Sequence, residues 1–261
     1  MQHTISLLPV VPVRAGASDK EEMVTQMIFG DHAIILEKYP KWSFVEIVED
    51  SYRGWISNNM VSALPEGTEP ENGLSRHRIS GDLFLKVRND TDGQFMHLTA
   101  GSILYDYNPQ TRKFKAGVSS FTCQHKPLFY RKETVRQNIQ KAAMNFINVP
   151  YLWGGKNPFG IDCSGLNQVV FRLFGINLPR DSWQQAEVGH AVDMDRSRPG
   201  DVAFFENEKG RVVHTGIITG DNRIIHASGM VRIDILDEKG IYNHTLKEYT
   251  HRLQVIKNIL E

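Results

Sequence analysis

The sequence predicts an α+β domain, with helices packed on an antiparallel sheet, preceded by two small all-β barrels. Three observations carry this reading. The first half breaks into short alternating runs punctuated by Pro and Gly, the texture of small barrels. Two central stretches repeat apolar residues at helical spacing. Strand-like runs then follow the helices, an order that suits helices laid on an antiparallel sheet.

In chain order, "DHAIILEKYPKWSFVEIVEDSYRGWISNNMVSAL" (31–64) contains alternating segments such as "WSFVEIVE". "PEGTEPENG" (65–73) is polar, with two prolines and two glycines, and reads as a linker. The short-strand texture resumes in "GDLFLKVRND", "QFMHLTAGSILYDY" and "KFKAGVSSFTC". These features divide the chain at 1–66, 67–130 and 131–261. In "ETVRQNIQKAAMNFI" (133–147), Val135, Ile139, Ala142 and Phe146 share one helix face. A second helix is predicted from Cys163. Leu166, Val169, Val170, Leu173 and Phe174 form its apolar stripe, Gly175 its stop and Asp162 its N-cap. The strand-like runs are "DVAFFE", "RVVHTGIITG" and "NRIIHASG".

Composition excludes several classes. Lys plus Arg and Asp plus Glu are 30 each among 261 residues, so no chain-wide basic field exists for nucleic acid. Two cysteines, at 123 and 163, cannot build a disulfide framework and lack metal-ligand spacing. Cys123 reads as a reduced thiol. No stretch reaches the ~20 apolar residues of a spanning helix, so no membrane span is expected. The N-terminus "MQHTISLLPVVPVRAG" lacks the basic n-region of a signal peptide. The chain as it stands reads as cytoplasmic; a leader already removed would move it to the periplasm or cell envelope.

Cys163 carries the chemistry. In the first turn of its helix, unpaired N–H groups and the helix dipole favour a thiolate. A nucleophilic thiol also wants a base, and His214 interrupts an otherwise apolar strand. An isolated histidine there is more often a core residue bonded to a carbonyl. His226 changes that balance. If Gly220, Asp221 and Asn222 form a three-residue loop, Thr219 pairs with Arg223, His214 faces Ser228 and His226 faces Gly216. Both histidines then share a face, and a Cys–His–His line follows, with His226 orienting His214. A two-residue loop would separate them. A zinc site of Cys163, His214, His226 and Asp201 has suitable ligand types but no H-E-x-x-H or paired-cysteine motif. No metal or cofactor is expected.

Six segments in order, "PYLWGG" (150–155), "DCSG" (162–165), "LPRDSWQQ" (178–185), "RPGDVAFF" (198–205), "HTGI" (214–217) and "IIHASG" (224–229), resemble the NlpC family of bacterial cell-wall cysteine peptidases. The resemblance spans roughly 135–255 and implies a papain-like fold. It implies Cys163 as nucleophile, His214 as base and His226 as the orienting third residue. Tyr151 resembles the tyrosine whose hydroxyl lies near the nucleophile, and Trp153, Asp162, Ser164 and Ser182 fall in the same substrate-binding motifs. Asp181-Ser182 stands where the wider family often has Thr-Ser. It is similar to the subgroup that trims peptidoglycan stem peptides with a free N-terminal L-Ala, whose ammonium Asp181 would pair. That subgroup carries bacterial SH3-like modules before the catalytic domain. "EEMVTQMIFGD" (21–31) and "SYRGWI" (51–56) look like the first, with Glu22 and Tyr52 closing one end of the cleft. The second matches in texture alone and is expected to act as a spacer. The implied activity is a γ-D-glutamyl-L-diamino acid endopeptidase acting on L-Ala-γ-D-Glu-diamino acid peptides. The alternatives are an acyltransferase on the same fold and a non-catalytic wall-peptide binder.

Overall fold

The computed structural model describes residues 2–65 and 78–260. The predicted linker, beyond Pro65, and the division at 66/67 lie outside the described residues.

The N-terminal part is all β: β1 (Gln2–Ile5), β2 (Val10–Arg14), β3 (Met23–Ile28), β4 (His32–Lys38), β5 (Trp42–Ile47), β6 (Arg53–Ser57) and β7 (Ser62–Ala63). They form one sheet in the order β3-β2-β6-β5-β4-β1-β7. Alternation explains it: in β5 every second residue, Ser43, Val45 and Ile47, is buried. Val11, Val13, Met27, Ala33, Val45, Ile47 and Ile56 make its core.

The next part is also all β but is not one continuous sheet. β8 (Arg78–Ile79), β9 (Phe84–Asn89), β10 (Phe95–Thr99), β11 (Ile103–Leu104), β12 (Lys113–Ala116) and β13 (Ser119–Cys123) divide into a four-stranded sheet, β10-β9-β13-β12, and a pair, β11-β8. Phe114 and Phe121 fill the space between it and Phe29 of the first part, with Phe29 edge-on to Phe121 at 5.2 Å.

The C-terminal part begins with α1 (Val135–Met144), the hairpin β14 (Lys156–Asn157) and β15 (Gly160–Ile161), α2 (Cys163–Arg172) and the single turn α3 (Ser182–Gln185). Strands β16 (His190–Val192), β17 (Val202–Glu206), β18 (Val212–Gly220), β19 (Arg223–Ser228), β20 (Met230–Asp237), β21 (Gly240–Asn243) and β22 (Glu248–Asn258) follow. The first helix starts at Val135, after a 3₁₀ turn over Lys132–Thr134, and ends at Met144, two residues before Phe146, the last residue of its predicted apolar face. The second begins at Cys163, and Asp162 caps it as predicted. The strands are antiparallel in the order β16-β22-β17-β18-β19-β20-β21, and β21 pairs back onto β22. The sheet thus curls closed over β17–β22, and Phe205, Ile218, Ile224, Leu236 and Ile241 share one cluster with Ile256. The other side, Val202, Phe204, Ile217 and Ile225, packs with Leu166, Val169 and Phe171 of α2. Every residue of α2 is buried. Each of its larger apolar side chains contributes about 1.5–3 kcal/mol of gross burial.

One apolar cluster runs through all three parts, from Ile5 and Phe29 through Phe114 to Leu166 and Phe171. At its centre Arg172, at the end of α2, is ion-paired with Asp31 of the first part. The backbone N–H of Ile28 donates to Asp31 at 2.9 Å, and the Tyr105 hydroxyl of the second part donates to the Gly30 carbonyl at 2.7 Å. Gly30 has φ +87°, and a Cβ there would lie 2.8 Å from Ile103. Nearby, burial pushes the Glu49 carboxyl up and Asp31 adds to this, while His32 and Arg172 oppose it.

Removing one partner of such a pair strands a buried charge. Asp31→Ala is expected to cost about 3–5 kcal/mol in urea unfolding of the whole chain, and Asp31→Ala with Arg172→Met to recover part of that loss. A single-variant cost below about 1 kcal/mol, the value of an exposed pair, would show that the junction does not rest on this pair.

Candidate active site

The site is built around the first turn of α2. The Asp162 side chain accepts from the backbone N–H of Gly165 at 2.7 Å and of Gly154 at 2.8 Å. An N-cap of this kind contributes ~1 kcal/mol to a helix. Here it also holds the Gly154-Gly155 turn against the helix. Arg180, 2% exposed, reaches the same carboxylate with two nitrogens, at 2.5 and 3.2 Å. It also donates to Ser164 Oγ at 2.7 Å and to Thr25 Oγ1 of β3 at 2.8 Å. The residues before and after Cys163 are therefore clamped by one guanidinium.

Cys163 is 7% exposed. The amides of Thr215 and Ser164 hydrogen-bond its sulfur, and Arg180 lies near. These favour the thiolate but do not prevail. Burial, then the adjacent Asp162 carboxylate, pushes the thiol up to about 12. The helix start alone predicts a depressed thiol; the loss of water and the capping carboxylate outweigh the dipole.

His214 and His226 come together. His214 Nε2 lies 2.8 Å from His226 Nδ1, and His226 Nε2 lies 3.1 Å from Asp234 Oδ2. The register is the predicted one, with Ile217 opposite Ile225. The loop is not. Asp221 and Asn222 form a two-residue turn, both at positive φ, as type I′ turns require. Gly220 pairs with Arg223, and Thr219 is a bulge. That one extra residue restores the parity that a two-residue loop would have lost. Gly216 lets the strands close up, since a Cβ there would lie 2.8 Å from the His226 Cβ. The β18–β19 ladder ends at Ile217–Ile225, and beyond it the Thr215 amide serves Cys163 instead. The thiol thus meets the backbone next to His214; among the described residues the two side chains form no direct hydrogen bond. His251 of β22 stacks on His214, with ring centroids 4.0 Å apart. Burial, then His251 and His226, pushes His214 well below the ordinary imidazole range. Burial likewise brings His251 down to about 4.

A cleft of about 490 Å³ opens above Cys163, lined by nine of the eleven predicted site residues: Glu22, Tyr52, Tyr151, Trp153, Asp162, Cys163, Ser164, Asp181 and Ser182. His214 and His226 lie buried beneath it. Two contacts close one end against the first part: Trp153 Nε1 donates to Glu22 Oε1 at 2.6 Å, and the Tyr52 hydroxyl bonds the Asp181 carboxylate. Burial, then Asp181, pushes Tyr52 up to about 12. Burial raises Asp181 too, although Arg180 draws it back. Burial, then Cys163, raises Tyr151, so its hydroxyl stays a donor.

Asp201, a ligand in the zinc alternative, lies elsewhere. It is ion-paired with Arg136 at 3.1 Å and accepts from the Arg198 amide. Arg180, Trp183, Asp234 and His251 join the site without a sequence signal of their own. Arg180 and Trp183 lie inside "LPRDSWQQ", where only Asp181 and Ser182 stand out. Asp234 was hidden because "RID" in "MVRIDILD" reads as the solvated side of an alternating strand.

A model of the NlpC/P60 family matches residues 148–250, and one described as a bacterial dipeptidyl-peptidase Sh3 domain matches 13–60. The gamma-D-glutamyl-L-lysine dipeptidyl-peptidase of Bacillus subtilis is 28% identical over 228 residues, covering 82% of this chain and 75% of that protein. The murein DD-endopeptidase MepS/murein LD-carboxypeptidase of Escherichia coli is 34% identical over 134 residues, covering 50% of this chain and 70% of that protein. The crystal structure of an NlpC/P60 family protein from Bacillus cereus superposes with a TM-score of 0.82, at 18% identity, over 99% of this chain and 100% of that one.

A raised thiol and a lowered imidazole favour a neutral thiol beside a neutral imidazole. Alkylation of Cys163 by iodoacetamide, with Cys163→Ala as blank, is expected to rise steadily through pH 8–10. A rate already constant between pH 5 and 7 would reveal a preformed thiolate–imidazolium pair.

Proposed function

Because the chain belongs to the NlpC/P60 family and is a cysteine peptidase of peptidoglycan, we propose that it is a γ-D-glutamyl-L-diamino acid endopeptidase for stem peptides with a free N-terminal L-Ala. The charge of the cleft carries this reading. Its lining holds three acids, Glu22, Asp162 and Asp181, and one base, Arg180. Asp162 and Arg180 satisfy each other. Glu22 and Asp181 are left facing the cleft at its closed end, where an α-ammonium would be held by charged hydrogen bonds. The γ-carbonyl of the second residue then falls towards Cys163. Gamma-D-glutamyl-L-lysine dipeptidyl-peptidase of Bacillus subtilis, which aligns along most of this chain, supports the same bond.

In this papain-like mechanism the Cys163 sulfur attacks the γ-amide carbon as its proton passes to His214. The thiol and imidazole need not be ionised beforehand, because proton transfer accompanies attack. The oxyanion is met by the Cys163 N–H, at a helix start, and by the Tyr151 hydroxyl. His214 then gives its proton to the leaving amine of the diamino acid. Water attacks the thioester carbon, His214 takes the water's proton, and the L-Ala-γ-D-Glu product leaves as the thiol is reprotonated. Trp153 and Trp183 flank the peptide, and Ser164 and Ser182 offer hydroxyls along it.

Cys163→Ala is expected to lower hydrolysis of L-Ala-γ-D-Glu-diaminopimelate more than about a thousandfold, the scale of losing a nucleophile; turnover near the wild-type rate would end the proposal. The ammonium contact is tested separately. A charged hydrogen bond is worth about 1.5–3 kcal/mol, so N-acetylating the tripeptide should reduce kcat/KM about 10- to 150-fold. Asp181→Asn should lose a similar factor on the free peptide and little on the acetylated one. Equal cleavage of both peptides by the wild-type chain would remove Asp181 from this role.

A further inference from the structure

We propose that Asp234 is a positioning residue for the base: through His226 it holds His214 in the tautomer whose Nδ1 is free to take the Cys163 proton. This rests on the reading of Cys163 and His214 as nucleophile and base.

The geometry leaves little choice. β19 and β20 pair with Ile224 opposite Asp234 and His226 opposite Arg232, so Asp234 and His226 are diagonal neighbours on one face. The Asp234 side chain is 4% exposed. Arg232 holds it ionised: its Nη2 donates to Oδ1 at 2.9 Å and its Nε lies 2.7 Å from Oδ2. A carboxylate in that state only accepts hydrogen bonds. The 3.1 Å contact to His226 therefore requires the His226 proton on Nε2. In neutral His226 the remaining nitrogen, Nδ1, is an acceptor. Its partner at 2.8 Å, His214 Nε2, must donate. The second nitrogen of neutral His214 then carries no proton. One carboxylate, two hydrogen bonds away, thus decides which nitrogen of the base is basic.

The surroundings offer no substitute. His251 stacks on the face of His214 and is itself bonded at Nδ1 to Thr250 Oγ1, 2.8 Å away. Phe205 lies on another side at 5.8 Å. Cys163 is met through the Thr215 amide. Of the described groups packed on this pair of rings, Asp234 brings the negative charge that an imidazolium at His214 would need. Amide replacement of an orienting aspartate is known to trap a catalytic histidine in the wrong tautomer. Asparagine at 234 would donate to His226 Nε2, move its proton to Nδ1 and reverse the hydrogen bond to His214.

The test is ¹⁵N NMR of the histidine-labelled full chain at pH 7, with rings assigned by single substitution. The wild type should show Nε2–H on both His214 and His226. Asp234→Asn should move at least one proton to Nδ1 and lower kcat at least about tenfold with KM little changed. Asp234→Glu, which keeps the carboxylate, should retain the wild-type tautomers. A wild-type His214 protonated on Nδ1, a doubly protonated His226, or an Asp234→Asn chain with unchanged tautomers or unchanged kcat would overturn the proposal. Should the asparagine variant fail to fold, the wild-type spectrum alone still decides. Because the spectrum does not depend on turnover, an error about Cys163 would appear in hydrolysis by Cys163→Ala and leave the tautomers unaffected.

Discussion

The ion pair of Asp162 and Arg180 is the contact on which the site depends. Two ionised groups this deeply buried are stable only if nearly all their hydrogen-bonding capacity is met. Asp162 meets it with the Gly154 and Gly165 amides, the Ser164 hydroxyl and the guanidinium. Arg180 meets it with the same carboxylate, Ser164 and Thr25. Each partner also does something else. The acid starts the helix that presents Cys163, and the base carries that helix start across to β3 of the N-terminal part. Cys163, the glycine turn and the neighbouring barrel are therefore set by one charge pair.

That arrangement has an electrostatic consequence. A carboxylate beside the thiol opposes its ionisation, and a buried imidazole among other imidazoles resists protonation. Burial and Asp162 thus favour the proton on sulfur, and in the proposed mechanism it leaves as the carbonyl is attacked. Stabilisation of the charged pair is then needed in the transition state rather than in the resting enzyme, where it accelerates the chemical step. The relay from His214 to Asp234 and the amides around Cys163 are in place for that moment without further reorganisation.

The N-terminal part contributes to the walls of the cleft as the helices do. Arg172 and Asp31 anchor it at one end of α2, and Arg180 and Thr25 anchor it at the other. Glu22 and Tyr52 can form an end wall of the cleft only because those two anchors fix the distance. A close approach with no side chain in the way is part of this: a Cβ on Gly154 would lie 2.4 Å from the Met23 carbonyl. The middle part reaches the same junction through Tyr105 and the Phe114–Phe121 stack, which gives it a structural place behind the cleft.

Much of this was legible locally. The capped start of α2 at Cys163, the apolar faces of α1 and α2, and the strands bearing His214 and His226 follow from residue spacing and capping chemistry, which act over a few positions. The glycines and motif order around them pointed to the family and to seven residues of the cleft lining, and two N-terminal segments pointed to Glu22 and Tyr52. Other features required the fold. The Thr219 bulge, which keeps the two histidines on one face, is invisible to a count of loop residues. The state of the Cys163 thiol depends on burial and on a capping carboxylate, and the helix dipole alone suggests the opposite. Arg180, Asp234 and His251 looked like ordinary polar residues, because their meaning lies in partners on other strands and in another part of the chain. Sequence pattern reports what a residue does to its own backbone. Which charge or ring it will face across a sheet or a domain boundary is set by register and packing, and those exist only once the chain has folded.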